Sequence, residues 1–531
     1  MTSTVAPAAD MLAEPLRSRR NTWNTQVAVH AQMKPDTVAF RFRGLDTTWA
    51  QLHRRIEALA DALARRGVGQ GDRVLVVMLN HTAYFEAVLG INATGAIAVP
   101  VNFRLTPPEM SYIVSDSGAL AVITDATLAP LVAAVRAQNP GLGTCLVIDG
   151  KTADGETDGD VLGYEEVLAE QGAARIPLDI SEDSPALIMY TSGTTGSPKG
   201  AILSYANLNG QALTCIQALD NRADDVVFCT APMFHIAGLG SIAPAIVVRA
   251  RTVIHPLGAF DATELLDAWE REGATSAFLV PIQWQAVCAE PRVRERNLAL
   301  RVISWGAAPA SDTVLRAMSE TFPNAQNVAV FGQTEMSPVT CVLNGEDALR
   351  KLGSVGRPIP TIASRVVDDE MNDVAPGEVG EIVYRGPTMM QGYWNKPEAT
   401  AEAFYGGWFH SGDLVRQDEE GFVWVVDRKK DMIISGGENI YCAEVENVLY
   451  GHPNVVEAAV IGRSDAKWGE VPVAVVVVSG VDTLDLADLG PHLNEHLARY
   501  KHPKDLVVVD ELPRNASGKV TKHTLRKEFA G

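Results

Sequence analysis

The sequence predicts an α/β protein in two parts, a large N-terminal portion built on parallel sheets with flanking helices and a much smaller C-terminal portion. Three observations predict it. Between residues 47 and 124, apolar runs alternate with segments of helical spacing, the rhythm of strands joined by crossover helices. The same strand-then-loop transition recurs at 186–190, 226–228, 279–283, 302–309 and 328–335. After a dense charge run at 427–431, about one hundred residues remain, enough for one small domain. A chain of 531 residues is long enough for at least two domains and a large core.

Taken in order, residues 47–69 place Trp49, Leu52, Ile56, Leu59 and Leu63 on one helical face that ends at Gly67. The run 74–79 reads as a buried strand, 85–89 as part of a helix, and 95–101 and 120–124 as further strands. Residues 150–162 are polar and rich in Gly and Asp, a surface loop. The strand 186–190 then delivers the chain into Thr191, Ser192, Gly193, Thr194, Thr195, Gly196 and Lys199. Glycines let backbone N–H groups turn inward, hydroxyls add donors without bulk, and Lys199 supplies a compact cation, so the loop suits a polyphosphate. It is not a Walker A loop, because Lys199 follows Pro198 and precedes Gly200.

Further on, His235 stands alone on the apolar stretch 231–239, a position more often taken by a packed core histidine. The small residues Gly306, Ala307 and Ala308 allow either a flat ring against the backbone or a close contact between elements. Phe331, Gly332, Gln333, Thr334 and Glu335 follow a strand; an aromatic can stack on a base, and Thr and Glu can meet phosphate and a hard cation. Residues 377–382 read as a turn into an edge-type strand. Asp413 sits in what reads as a tight, aromatic-flanked turn, where it either caps the turn or accepts from two vicinal hydroxyls. The glycine-rich loop Ser435, Gly436, Gly437, Glu438 precedes an amphipathic helix at 443–450. Strands at 455–461 and 473–478 flank a turn at 467–470, and the tail 512–522 carries Lys519 directly after a glycine.

Bulk properties exclude several classes. The net charge of −20 argues against nucleic acid and against an electrostatic hold on anionic membranes. No run reaches the roughly 18 apolar residues of a spanning helix. Residues 1–20 lack the apolar core of a targeting peptide, and six cysteines lack CxxC spacing, so the cytoplasm is the default compartment and neither zinc nor disulfides are expected.

Seven segments between 190 and 522, in order, resemble the motifs of the adenylate-forming superfamily, most closely bacterial fatty-acid–CoA ligases through 427–446 and 468–472. The resemblance implies a 1–427 domain of parallel and mixed sheets plus a β subdomain, a small mobile α+β domain at 428–531, and a hinge at Lys430. It implies ATP, Mg²⁺ and coenzyme A, and homodimerisation as a family-level expectation. Catalytic roles fall to Lys519, Lys199, Thr191 and Glu335, with Glu335 and Thr191 at the metal. Nucleotide contacts fall to the 191–199 loop, Gly306 to Ala308, Phe331 to Thr334, Asp413, Arg428 and Lys519; residues 435–438 suit the pantetheine channel. Phe331 replaces the family's tyrosine, keeping stacking and losing a phenol. The implied acyl pocket (His235, Ile236, Gly238, Trp284, Trp305, Gln333, Met336, Val339, Cys341) lacks Arg and Lys. A hydrophobic monocarboxylate is therefore expected, a medium- or long-chain fatty acid first, with aryl or sterol-side-chain acids and carrier-protein loading as alternatives. A non-catalytic nucleotide sensor is disfavoured because the motif residues are all present.

Overall fold

The computed structural model describes residues 20–150, 161–173, 178–191, 198–308, 310–429, 431–436, 438–481, 483–514 and 520–529. Two large sheets dominate. In the eight-stranded sheet the order is Gly392–Tyr393, Lys199–Ser204, Pro185–Thr191, Ile97–Pro100, Arg73–Val77, Ala121–Asp125, Cys145–Ile148, Val161–Gly163. It is parallel from Pro185–Thr191 onward, and its first two junctions are antiparallel. In the nine-stranded sheet a parallel centre from Gln326–Gly332 to Val38–Phe42 carries antiparallel margins at both ends.

The helix Trp49–Arg65 buries Trp49, Leu52, Ile56, Leu59 and Leu63, as its spacing predicts, and starts on a Thr48 cap that accepts from the Gln51 N–H. It packs on Thr82–Ala93, in which every residue from Thr82 to Asn92 is buried, so this second helix is core on all sides. Such a helix can lie only between two layers.

A four-stranded antiparallel sheet follows, in the order Ala363–Val367, Val379–Arg385, Phe409–Gln417, Val423–Arg428. Two expectations change here. Val379–Arg385 is an interior strand with neighbours on both sides, not an edge. Asp413 lies inside the strand Phe409–Gln417 rather than in a turn, because the positive φ of 71° at Gly412 is absorbed as an irregularity within a continuing ladder.

The last sheet is separate and has five strands: Ile433–Ser435, Glu438–Ile440, Val455–Asp465, Gly469–Val478 and Asp505–Val508. Gly469 and Glu470 already belong to the strand that ends at Val478, so the turn is shorter than the sequence suggests. Of the 150–162 segment, residues 151–160 lie outside the described residues, and Val161–Gly163 forms a strand, paired with Cys145–Ile148, instead of loop. Among the described residues no helix is long and apolar enough to cross a membrane.

Candidate active site

The strands Pro185–Thr191 and Lys199–Ser204 pair antiparallel, with Thr191 directly opposite Lys199. Ser192, Gly193, Thr194, Thr195 and Gly196 lie outside the described residues. At the far end of Gln326–Gly332, in the other large sheet, a single 3₁₀ turn spans Thr334–Met336 and turns Glu335 back toward Thr191. Both features sit where parallel strands end, the usual ligand edge of such sheets.

Glu335 is 8% exposed, and its Oε1 accepts from the Thr191 hydroxyl at 3.3 Å and from the Tyr393 hydroxyl at 3.0 Å. The Lys199 ammonium stands 5.2 Å from the centroid of the Tyr393 ring. Thr191 and Lys199, predicted from one segment, and Glu335, predicted from another, are thus brought together. Tyr393 was not anticipated; its only signal is a Gly-Tyr-Trp triplet at 392–394 that resembles any aromatic edge strand. Glu335 is held by neutral donors, and no ion pair among the described residues neutralises it. A buried, uncompensated carboxylate beside a hydroxyl is a fitting donor set for Mg²⁺, which prefers oxygen.

The 306–308 turn lies on the neighbouring strand. A Cβ at Gly306 would stand 2.2 Å from the Val330 oxygen, so glycine is demanded by the adjoining strand whatever the loop binds. Ala307 has φ of 65°, an uncommon value for a side-chain-bearing residue that costs about 1 kcal/mol and recurs at ligand clamps. Gly332 is equally fixed: a Cβ there would meet the Pro338 oxygen at 1.9 Å. Its approach lets the Gln333 N–H donate to the Pro338 carbonyl at 2.8 Å, which folds Thr334 and Glu335 back over the strand. Phe331 sits opposite Cys341 in the ladder and is only partly buried, leaving ring surface for stacking.

Asp413 is 2% exposed and faces Arg428 across the antiparallel pair, Nε to Oδ1 at 2.6 Å. The Arg428 guanidinium also donates to the Ser411 carbonyl at 3.3 Å, and the Asp413 N–H donates to the Ser411 hydroxyl at 3.0 Å. One residue before Arg428, burial pushes the Asp427 carboxyl up to about 6, against the pull of nearby Lys522. Its oxygens accept from the N–H groups of Arg428 and Cys442.

The acyl-pocket residues separate. His235 is half-buried and starts the helix Ile236–Val248, its Nδ1 accepting from the Ala237 N–H at 3.1 Å; the neutral ring therefore carries its proton on Nε2. Met336 and Cys341 have no exposed surface, and Ile236, Gly238 and Val339 are buried around them. Burial pushes the Cys341 thiol up to about 12, so it behaves as an apolar group. Trp284 and Trp305 are corrections. Both face a different core, where Trp284 packs on Trp269 and Phe322 and donates to the Ser304 carbonyl, while Trp305 donates to the Asn327 side chain. With each indole N–H satisfied inside that core, neither ring walls a pocket. Ser435 and Glu438 pair at a hairpin tip, where the Gly436 N–H donates to the Trp468 carbonyl at 2.7 Å. No hydrogen bond or ion pair among the described residues ties this hairpin to Glu335 or Asp413. Gly437, Lys430 and Lys519 lie outside the described residues.

Residues 27–394 match the AMP-binding enzyme family and residues 444–519 its C-terminal domain. The chain is 41% identical over 501 residues to a feruloyl-CoA synthase of Amycolatopsis sp, covering 94% of this chain and 97% of that one. It is 36% identical over 484 residues to a long-chain-fatty-acid–CoA ligase of Mycobacterium tuberculosis, covering 91% and 93%. The o-succinylbenzoate–CoA synthetase of Bacillus subtilis, solved with ATP and magnesium ion, superposes with a TM-score of 0.83 at 30% identity, covering 96% and 99%. A family model over most of the chain and whole-length likeness to CoA ligases agree: the chain belongs to the adenylate-forming superfamily, as an AMP-forming acyl-CoA synthetase that uses ATP, Mg²⁺ and coenzyme A.

Proposed function

We propose that the substrate is a compact hydrophobic monocarboxylate, an aryl-bearing acid ahead of a long alkyl chain. The observation that supports this is the burial of two residues read as pocket lining: Met336 and Cys341 are fully buried in the main core, with no exposed surface. A long chain needs an open channel, whereas a ring needs only a short slot. No Arg or Lys stands among the pocket residues, which disfavours a second acid group. The 41% identical feruloyl-CoA synthase supports the aryl reading. The fatty-acid reading keeps the support of the mycobacterial relative.

A carboxylic acid is already ionised at neutral pH, so its attack on the α-phosphate needs no general base. The obstacle is repulsion between anions, which cations and N–H donors relieve. In this reading Lys199 and the loop donors hold the departing pyrophosphate, and Asp413 with Arg428 hold the ribose. Bound Mg²⁺, held by Glu335 with Thr191 alongside, supplies charge neutralisation at the phosphates. Lys519 bridges the carboxylate and the α-phosphate, and residues 435–438 admit the pantetheine thiol after residues 428–531 swing about Lys430, in a cytoplasmic setting. The test is CoA-dependent AMP release over cinnamate-type, arylacetic and saturated acids of rising length. Aryl acids are expected to exceed the best alkyl acid by about tenfold or more in kcat/KM, the discrimination pocket fit can supply. A steady rise in kcat/KM with chain length beyond ten carbons would overturn the aryl assignment.

A further inference from the structure

Tyr393 belongs to no motif that led to the site, yet it touches both of the charges that matter there. It occupies the short edge strand Gly392–Tyr393, where it pairs with Ala201, two residues beyond Lys199. The strand is pinned: the Tyr393 N–H donates to the Thr400 hydroxyl at 2.9 Å and the Trp394 N–H to the Gly200 carbonyl at 2.7 Å. The same segment reaches the Thr334–Met336 turn, the Met390 N–H donating to the Glu335 carbonyl and the Ser337 hydroxyl to the Thr388 carbonyl. The ring is therefore fixed independently of any ligand.

Its two contacts act on opposite charges. The hydroxyl donates to Glu335 Oε1, and the ring face receives the Lys199 ammonium. Two oppositely charged side chains on one tyrosine would be expected to pair directly, which would cancel the charge meant for metal and the charge meant for phosphate. No ion pair joins Lys199 to Glu335 among the described residues. The ring stands in the way: a cation on a π face is attracted by about 0.5–2 kcal/mol, which holds the ammonium at the ring.

We propose that Tyr393 is a positioning residue that keeps Glu335 and Lys199 apart and aimed, the hydroxyl fixing the carboxylate for the metal and the ring holding the lysine for the terminal phosphates. This rests on the reading of Glu335 as the metal-holding carboxylate. It assigns the two halves of one side chain to two measurable quantities.

The probe is Mn²⁺ with a non-hydrolysable α,β-methylene ATP, followed by the free-ion electron paramagnetic resonance signal in the full-length enzyme. Tyr393→Phe should weaken Mn²⁺ binding by about tenfold, the usual loss when an outer partner of a metal ligand is removed. It should also raise the Mg²⁺ concentration for half-maximal ATP–pyrophosphate exchange by the same factor, with most of the lost rate recovered at high Mg²⁺. Tyr393→Leu, which removes the ring as well, should add a several-fold rise in KM for ATP that excess metal does not cure. Glu335→Gln is the control. If it leaves Mn²⁺ binding intact, the metal reading itself fails. If it weakens binding while Tyr393→Phe does not, the hydroxyl has no positioning role. A Tyr393→Leu variant indistinguishable from Tyr393→Phe overturns the role of the ring.

Discussion

Glu335, in a turn past a strand, and Asp413, inside a strand, are both buried carboxylates, 8% and 2% exposed, and they are held in opposite ways. Glu335 is surrounded by the hydroxyls of Thr191 and Tyr393, which orient it and leave its charge in place. Asp413 is met by the Arg428 guanidinium at 2.6 Å, which cancels its charge and leaves lone pairs. A carboxylate that keeps its charge is suited to a cation. One that has lost it is suited to neutral donors such as sugar hydroxyls. In the proposed reading, the partner of each carboxylate, more than the acid itself, distinguishes a metal position from a ribose position.

Removing the partner should hurt most where that partner is a charge. Arg428→Leu leaves Asp413 buried without its cation, a loss of about 3 kcal/mol or more, to be read as a fall in the thermal midpoint that adding Asp413→Asn partly restores. If Arg428→Leu melts with the parent, Asp413 is not the compensated member of the pair. Glu335→Gln should do the reverse. Its neutral neighbours tolerate an amide, so the midpoint should move little, while ATP–pyrophosphate exchange falls by about 10²–10³. A large stability loss in this variant would show that Glu335 is structural.

Asp427 is a third case and gives the smallest effect. It is buried, and it accepts from two backbone N–H groups, with Lys522 near but paired to Glu446 at 2.7 Å. Its carboxyl is raised to about 6, so the folded protein holds that proton more tightly than the unfolded chain does. The resulting stability is complete below the ordinary carboxylate range and is lost as pH rises through about 6. Asp427→Asn should therefore gain on the parent between pH 5 and pH 7 in denaturant midpoints. A constant offset across that window would mean that Asp427 stays ionised throughout.

The sequence made the parallel sheets legible because both-sided burial leaves continuous apolar runs such as 74–79 and 186–190. It made Thr191, Lys199, Glu335, Asp413 and Arg428 legible because each sits in a short, spaced pattern. It could not separate Trp284 and Trp305 from pocket walls, since an indole in a core and an indole on a cavity have the same apolar neighbours in the chain. The distinction lies in where the N–H points, which is tertiary. Asp413 was read as a turn because Gly412 usually ends a strand, and here the ladder carries on past it. Tyr393 was silent for a further reason: its partners are 58 and 194 positions away (393 − 335 and 393 − 199), and no local periodicity reports such contacts.

That separation has a consequence in time. The chain is made from its N-terminus, so the phosphate lysine emerges first, the metal carboxylate next, and the tyrosine that holds them apart last. At roughly 5–20 residues per second, the interval from Lys199 to Tyr393 is about 10–40 s. For the last 58 residues of it, once Glu335 has been made, a ribosome-bound chain has both opposite charges and no ring between them. A product cut short before Gly392 would retain the parallel strands of both large sheets and lack the ring that stands between Lys199 and Glu335.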